Sequence, residues 1–163
     1  MTRVEPPLVT PERIRHVLGR FASGVVVVTA TTPDGPAGFT CQSFASLSLA
    51  PPLVVFCPSR ASASWPRMRR TRWFAVNILA AHQADVSARF ARSGTDKFTG
   101  TAWRPGPRGV PVLDGVCGWV SCELAAEYDG GDHTIVTGLV RELHGGDEDR
   151  SPLVYHRGAY GVS

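Results

Sequence analysis

The stretch that decides the fold is Val25-Val26-Val27-Val28-Thr29-Ala30-Thr31-Thr32-Pro33-Asp34-Gly35-Pro36, which continues through residues 37–44. β-Branched side chains dominate its first eight positions, and this composition is typical of a strand buried in a sheet. Pro33 to Pro36 form a turn signal, since Asp-Gly favours the tight turn of a hairpin. The sequence therefore predicts two antiparallel strands that meet across Asp34 and Gly35.

Helical and strand patterns flank this hairpin. Apolar residues recur at helical spacing from Thr10 to Ala22, with Thr10 as N-cap and Pro11 in the first turn. Further strands are predicted at residues 43–49, 53–57, 74–79, 118–128, 133–143 and 153–160, and the 53–57 strand is expected to pair with the 74–79 strand. Short helices are predicted at 62–71 and 81–91, and a loop at 103–111. These elements predict a mainly β fold, a barrel with an N-terminal helix and short peripheral helices.

Composition narrows the class of protein. The 163 residues are the length of one domain, and a 43% hydrophobic fraction excludes a disordered chain. No apolar run approaches the roughly 18 residues that span a membrane, and the N-terminus lacks a signal peptide's apolar core, so we expect a cytoplasmic protein. A net charge of +3 is too small to indicate nucleic-acid binding. The arginines at 67, 69, 70 and 72 favour a solvated face or the rim of an anion site over a nucleic-acid patch.

Several familiar chemistries lack their residues. The only lysine, Lys97, lies between Asp96 and Phe98, so there is no Walker A loop. The chain also lacks the H-E-x-x-H, G-x-S-x-G and G-x-G-x-x-G motifs. Its four cysteines include no C-x-x-C pair, and we expect free, mostly buried thiols and no metal site.

Three segments remain as candidates for chemistry. Residues 38–48 place Thr, Gln and Ser side chains beside a glycine, which suits the polar rim of a planar heterocycle or a phosphate, although an ordinary polar edge strand has the same composition. His133 follows Gly131-Asp132 at the start of a predicted strand. Lys97 offers one positive charge to a phosphate, and a plain surface position is the alternative.

Taken in order, these pieces resemble the flavin reductase-like family, and more closely its short-chain NAD(P)H:flavin oxidoreductases that serve two-component monooxygenases. The resemblance runs from about residue 12 to residue 160. It is carried by Gly38-Phe39-Thr40-x-x-Ser43-Phe44-x-Ser46-x-Ser48, Phe74-Ala75-Val76-Asn77, Phe90-Ala91, Asp96-Lys97-Phe98, Gly131-Asp132-His133 and Pro152-Leu153-x-Tyr155. It implies an FMN-binding type of split β-barrel, FMN or FAD as flavin, NADH or NADPH as hydride donor, and a homodimer.

The resemblance also assigns residues by position. Those implied for the flavin ring and ribityl chain are Thr40, Cys41, Gln42, Ser43, Ser46 and Leu47, with Cys57, Pro58 and Ser59 flanking the ring. Those implied for the phosphate or adenylate are Ala63, Ser64, Arg89, Phe90, Ala91 and Lys97. His133, as the catalytic residue, is expected to face the nicotinamide, with Tyr155 and Tyr160 near the same pocket.

The function implied is NAD(P)H-dependent reduction of free flavin by hydride transfer to N5, with reduced flavin supplied to a partner monooxygenase. Two alternatives stay open on the residues alone. One is a flavoprotein that retains its flavin and reduces or oxidises a small molecule in place. The other is a non-catalytic flavin-binding or haem-binding module with the same barrel.

Overall fold

The computed structural model describes residues 9–94, 96–146 and 149–161. It contains three α-helices, two short 3-10 helices (Arg69–Thr71 and Pro107–Gly109) and twelve strands within those ranges. In chain order the elements are α1 (Pro11–Leu18), β1 (Ser23–Gly24), β2 (Val26–Thr32), β3 (Gly35–Cys41), β4 (Ala45–Leu49), β5 (Pro52–Phe56), α2 (Trp65–Met68), β6 (Trp73–Ile78), α3 (Ala84–Ala91), β7 (Trp103–Pro105), β8 (Pro111–Leu113), β9 (Gly118–Gly130), β10 (His133–Gly145), β11 (Val154–His156) and β12 (Ala159–Tyr160).

Seven strands form one antiparallel sheet in the order β3-β2-β6-β9-β10-β5-β4. β3 and β5 stand near opposite ends of this order, yet the rings of Phe39 on β3 and Phe56 on β5 have centroids only 6.3 Å apart. The sheet must therefore curl around a common core. Its two edges, β3 and β4, are not hydrogen-bonded to each other, so the barrel is split at that point. The prediction of a mainly β split barrel is confirmed.

Four aromatic rings fill the centre of the barrel. Phe56 packs edge-on against Trp65 and Phe74 at 5.3 Å each, and Trp65 lies 6.3 Å from Phe39. These rings come from β3, β5, α2 and β6, and all four are buried. Edge-to-face pairs are favoured by the ring quadrupole in addition to the apolar area they bury. One cluster thus fixes four elements against one another.

The predicted hairpin forms, with β2 and β3 paired from Val26 and Cys41 to Thr32 and Gly35. The predicted pairing of residues 53–57 with 74–79 is wrong. β5 pairs with β10 and β4, whereas β6 pairs with β2 and β9. Both segments have the composition of a strand, and only the long β9–β10 hairpin, which inserts between them, decides which strands meet.

Other predicted boundaries also change. The expected loop at 103–111 contains the paired strands β7 and β8, and the expected strand at 153–160 is split into β11 and β12 by a turn at Arg157 and Gly158, both with positive φ. α1 ends at Leu18, short of the predicted helix end. No helix among the described residues is long and apolar enough to cross a membrane.

No residue of α1 is buried, so the apolar face that predicted the helix does not pack on the core. Ile14, Val17 and Leu18 are all exposed, and Phe21 just beyond the helix is 81% exposed. Helical periodicity predicted the helix itself, with Thr10 accepting from the Arg13 backbone N–H at 3.3 Å. It could not say which surface covers the apolar face, and among the described residues that face stays exposed.

Two glycines on β10 provide a test of the packing inside the barrel. A Cβ on Gly138 would lie 2.5 Å from the Phe74 ring and 3.2 Å from the Cβ of Cys122, whereas a Cβ on Gly145 meets nothing within 4 Å. We expect Gly138→Ala to lower the free energy of unfolding by about 1–3 kcal/mol through overpacking. Gly145→Ala should change it by less than about 0.5 kcal/mol. Urea unfolding measures the free energy of unfolding of both variants. An equal loss of stability in Gly138→Ala and Gly145→Ala would contradict the packing of Phe74 against β10.

Candidate functional site

A cavity of about 930 Å³ opens beside the split in the barrel. Its volume lies within the range of roughly 300–1,000 Å³ that is usual for small-molecule sites. The cavity brings together most of the residues predicted from the sequence: Thr40, Cys41, Gln42, Ser43, Cys57, Pro58, Ser59, Ala63, Ser64, Phe90, Ala91, Lys97, His133, Tyr155 and Tyr160. Segments distant in the chain therefore converge on one site.

The ends of β3 and β5 form one wall, and Ser43 joins them. Its Oγ accepts a hydrogen bond from the Cys57 backbone N–H at 3.0 Å and donates to the Cys57 carbonyl at 3.1 Å. Thr40 donates its hydroxyl hydrogen to the Ser87 carbonyl at 2.6 Å. Both hydroxyl hydrogens are thus used within the protein. Polar contacts from this wall to a ligand are open to the exposed side chains of Gln42 and Ser59 and to backbone groups.

Two cations face the cavity at the turn into α2. Lys97 Nζ donates to the Gly38 carbonyl at 3.0 Å and contacts Ser64 Oγ at 3.4 Å, and Arg67 lines the cavity nearby. Among the described residues, neither cation forms an ion pair. Partial burial and then the neighbouring Arg67 charge lower the pKa of Lys97. An anion bound here would offset both effects, so this part of the cavity is suited to a phosphate.

His133 is presented by the turn between β9 and β10. Its Nδ1 lies 2.7 Å from an Asp132 carboxylate oxygen, and this hydrogen bond, followed by the His133 charge, lowers the pKa of Asp132. Such a contact fixes the orientation of the ring. The other ring nitrogen, Nε2, makes no hydrogen bond to the described residues and is available to a ligand.

The loop after β5 holds that turn in place. Arg60 forms an ion pair with Asp129, its backbone N–H donates to the Asp132 carbonyl at 2.9 Å, and its Nε donates to the His133 carbonyl at 3.4 Å. Thr134 N–H donates to the Pro58 carbonyl at 3.0 Å. His133 is therefore positioned by the same loop that provides Cys57, Pro58 and Ser59. No local pattern in the sequence pointed to Arg60, because its partners lie about 70 residues away along the chain.

A hairpin of β11 and β12 forms another wall. Tyr155 and Tyr160 are cross-strand partners whose rings meet edge-on at 5.2 Å. Tyr160 OH lies 2.9 Å from Ser87 Oγ on α3. On the same helix, Phe90 is fully buried and contacts Phe98 edge-on at 5.0 Å.

Three predicted cofactor residues do not reach the cavity. Ser46 and Leu47 lie on the exposed edge strand β4, where a register shift between Ser46 and Ser48 interrupts the pairing with β5. Arg89 turns away, since its guanidinium donates to the Thr99 carbonyl at 3.0 Å and to Thr101 Oγ1 at 2.9 Å. Arg67 lines the cavity instead. It belongs to the run of arginines at residues 67–72 for which the sequence predicted an anion rim. Arg69 and Arg72 of that run instead form ion pairs with Glu127 and Glu123.

Comparison with known proteins agrees with this geometry. The family model described as flavin reductase like domain matches residues 18–162. The chain is 45% identical over 166 residues to a flavin reductase of Pseudomonas putida, which covers 99% of this chain and 97% of that protein. It is 44% identical over 153 residues to the reductase subunit HsaB of a flavin-dependent monooxygenase of Mycobacterium tuberculosis, which covers 93% and 82%.

One solved structure bears on both the fold and the site. It is the NADH:FAD oxidoreductase SgcE6 of Streptomyces globisporus C-1027, determined in complex with NAD and FAD fragments. It has a TM-score of 0.86 and 33% identity to this chain, and the match covers 97% of each protein. The family model spans most of the chain, and the identities extend over nearly its whole length. The chain therefore belongs to the family of the flavin reductase like domain.

Proposed function

We propose that this chain is a flavin reductase that transfers a hydride from NADH or NADPH to N5 of free FMN or FAD. In this proposal the reduced flavin then passes by diffusion to a partner monooxygenase. One observation carries it: a single cavity combines Lys97 and Arg67, which form no ion pair with the described residues, with the ring of His133. The family membership and the relatives' descriptions as flavin reductase, monooxygenase reductase subunit and NADH:FAD oxidoreductase support it.

The residues present fit a phosphorylated flavin. Lys97 is half-buried and has no carboxylate partner among the described residues, so its positive charge calls for an anionic ligand group. The cavity also offers apolar surface and polar groups for a planar ring, and its volume suits such a ligand. When bound, the flavin and the nicotinamide supply the hydride chemistry themselves.

Within this proposal the protein binds and orients. Lys97, Arg67 and Ser64 hold the phosphate, and Gln42 with nearby backbone groups contacts the ring. His133 faces the donor and acts through its charge and orientation, because Asp132 fixes Nδ1 and leaves Nε2 toward the ligand. Preorganised polar groups of this kind stabilise charge that develops during a reaction without reorganising.

A first prediction concerns the reaction itself. Purified protein should oxidise NADH or NADPH only when FMN, FAD or riboflavin is added, because no flavin is retained between turnovers. Loss of the reduced-nicotinamide absorbance band, measured for each donor with each flavin, tests this. A yellow protein that oxidises no donor with any flavin would support a flavin-binding module instead. Flavin-independent oxidation by a yellow protein would support a flavin-retaining oxidoreductase.

A second prediction concerns the phosphate. Lys97→Met should raise the Kd of FMN by about 10- to 100-fold, the worth of a charge-assisted hydrogen bond of roughly 1.5–3 kcal/mol. The Kd of riboflavin, which has no phosphate, should change less than about two-fold. Flavin fluorescence quenching measures both constants. Arg70→Met, which removes an exposed cation outside the cavity, is the control for net charge.

The same preference should depend on pH. The pKa of Lys97 is lowered, so the lysine is charged below that lowered value and neutral above it. The preference for FMN over riboflavin should therefore be greatest below the lowered pKa and decline as the pH rises through it, at a lower pH than for an ordinary lysine. Equal losses of FMN and riboflavin affinity in Lys97→Met would show that Lys97 supports the cavity wall and does not bind phosphate.

We propose in addition that the protein is a homodimer. Apolar side chains are exposed on the edge strand β4, where Leu49 is 90% exposed and Leu47 about half exposed, and on α1. Exposed apolar side chains on an edge strand and on a helix suit burial against a second copy of the chain. Sedimentation velocity should give the mass of a dimer, and Leu49→Lys should shift the equilibrium toward monomer. A monomer at micromolar concentration in the unmodified protein would contradict this.

A further inference from the structure

Ser87 on α3 connects two walls of the cavity without lining it. It is fully buried, and its hydroxyl lies 2.9 Å from the hydroxyl of Tyr160 on β12. Its backbone carbonyl accepts the hydrogen bond from Thr40 on β3 at 2.6 Å. The side chain thus holds the tyrosine hairpin, while the main chain holds the strand implied for the flavin. The two bonds use different atoms of one residue, so they can be removed separately.

The tyrosine hairpin depends on few other polar contacts. β11 and β12 share two residue pairs, β11 meets β1 through two more, and the turn adds one backbone bond from the Arg157 N–H to the Gly19 carbonyl at 2.9 Å. The turn between them contains Arg157 at φ 51° and Gly158 at φ 83°. Among the described residues from 153 to 161, the bond from Tyr160 to Ser87 is the only side-chain hydrogen bond. Short, exposed elements of this kind unfold locally with a small free-energy change.

The rings of the hairpin are coupled to one another. Tyr155 packs against the buried cluster that contains Phe90 and Leu153, and its ring meets Tyr160 edge-on at 5.2 Å. Tyr160 is itself more than one-third exposed, so burial alone does not fix its ring. The hydrogen bond to Ser87 supplies the remaining constraint. It fixes the Tyr160 hydroxyl against α3, and the ring then forms the cavity wall.

We propose that Ser87 is a positioning residue for the hydride donor, acting through Tyr160. The inference rests on the proposed function, together with the position of Tyr155 and Tyr160 near the nicotinamide that the family resemblance implies. Because the Thr40 bond goes to a main-chain carbonyl, loss of the Ser87 hydroxyl disturbs the donor's wall and leaves the flavin strand in place. Ser87 therefore affects donor binding separately from flavin binding.

Three variants test the inference: Ser87→Ala, Tyr160→Phe and the double variant. Each single variant removes one end of the same hydrogen bond. We expect each to raise the donor KM by about 3- to 10-fold, which corresponds to the loss of one hydrogen bond of typical net strength. The flavin Kd should change by less than about two-fold. The double variant should be no worse than the single variants, because the shared bond is already lost.

Ser121→Ala is the matched control. Ser121 is also fully buried, on β9, but its hydroxyl has no hydrogen-bond partner among the described residues. Its removal should leave the donor KM and the flavin Kd unchanged. A general loss of packing on truncating a buried serine would appear equally in Ser121→Ala and Ser87→Ala, and that result would overturn the inference.

A measurement independent of activity completes the test. Hydrogen–deuterium exchange of the peptide spanning residues 153–161 should be faster in Ser87→Ala and Tyr160→Phe than in the unmodified protein. Suppose that the unmodified protein oxidises a nicotinamide donor. If Ser87→Ala then leaves the donor KM unchanged, or raises the flavin Kd as much as the donor KM, the role of Ser87 is refuted while the proposed function stands. If the unmodified protein oxidises no donor, the proposed function fails and the donor role of Ser87 fails with it.

Discussion

The buried cluster of Phe39, Phe56, Trp65 and Phe74 is the constraint on which the rest of the site depends. Each ring comes from a different element, and their tilted and edge-on contacts at 5.3–6.3 Å fix the relative positions of β3, β5, α2 and β6. Phe39 itself lines the cavity, Cys57 of the cavity wall directly follows Phe56, and Ser64 directly precedes Trp65. The polar site is thus an extension of the apolar core, and its geometry is as rigid as the packing beneath it.

A second level of contacts then orients the groups that face the cavity. Ser43 joins the ends of β3 and β5, and Arg60 ties the turn that presents His133 to the loop after β5. Trp65 extends this connection, since its Nε1 donates to Glu127 at 2.9 Å, and Glu127 also forms an ion pair with Arg69. β9 is therefore linked to α2 as well as to its sheet neighbours. Trp65 and Glu127 lie on regular elements, and Ser43 and Arg60, in the segments after β3 and β5, each form more than one hydrogen bond. This network favours a preformed site.

Local patterns in the sequence predicted local structure well. The Asp-Gly turn predicted the β2–β3 hairpin, and the cap at Thr10 predicted the start of α1. The pairing of β5 with β10 was not predictable, because strand composition does not specify a partner some 80 residues away. Arg89 illustrates the same limit within the site: the family pattern gives its position, but hydrogen bonds to Thr99 and Thr101 decide where its guanidinium points. Ser46 and Leu47 lie outside the cavity for a comparable reason, the irregular pairing of β4.

The parts of the cavity differ in how firmly they are held, and this difference bears on a reaction with two substrates. The cationic part stands on the aromatic core, and Lys97 is held by two hydrogen bonds. The tyrosine wall rests on strands of two and three residues and on one hydroxyl bond to α3. A ligand that needs the tyrosine wall must therefore bear part of the free-energy cost of ordering it. In the proposed reaction the donor is that ligand, so the protein would hold flavin phosphate at a preformed site and the nicotinamide at a more adaptable one.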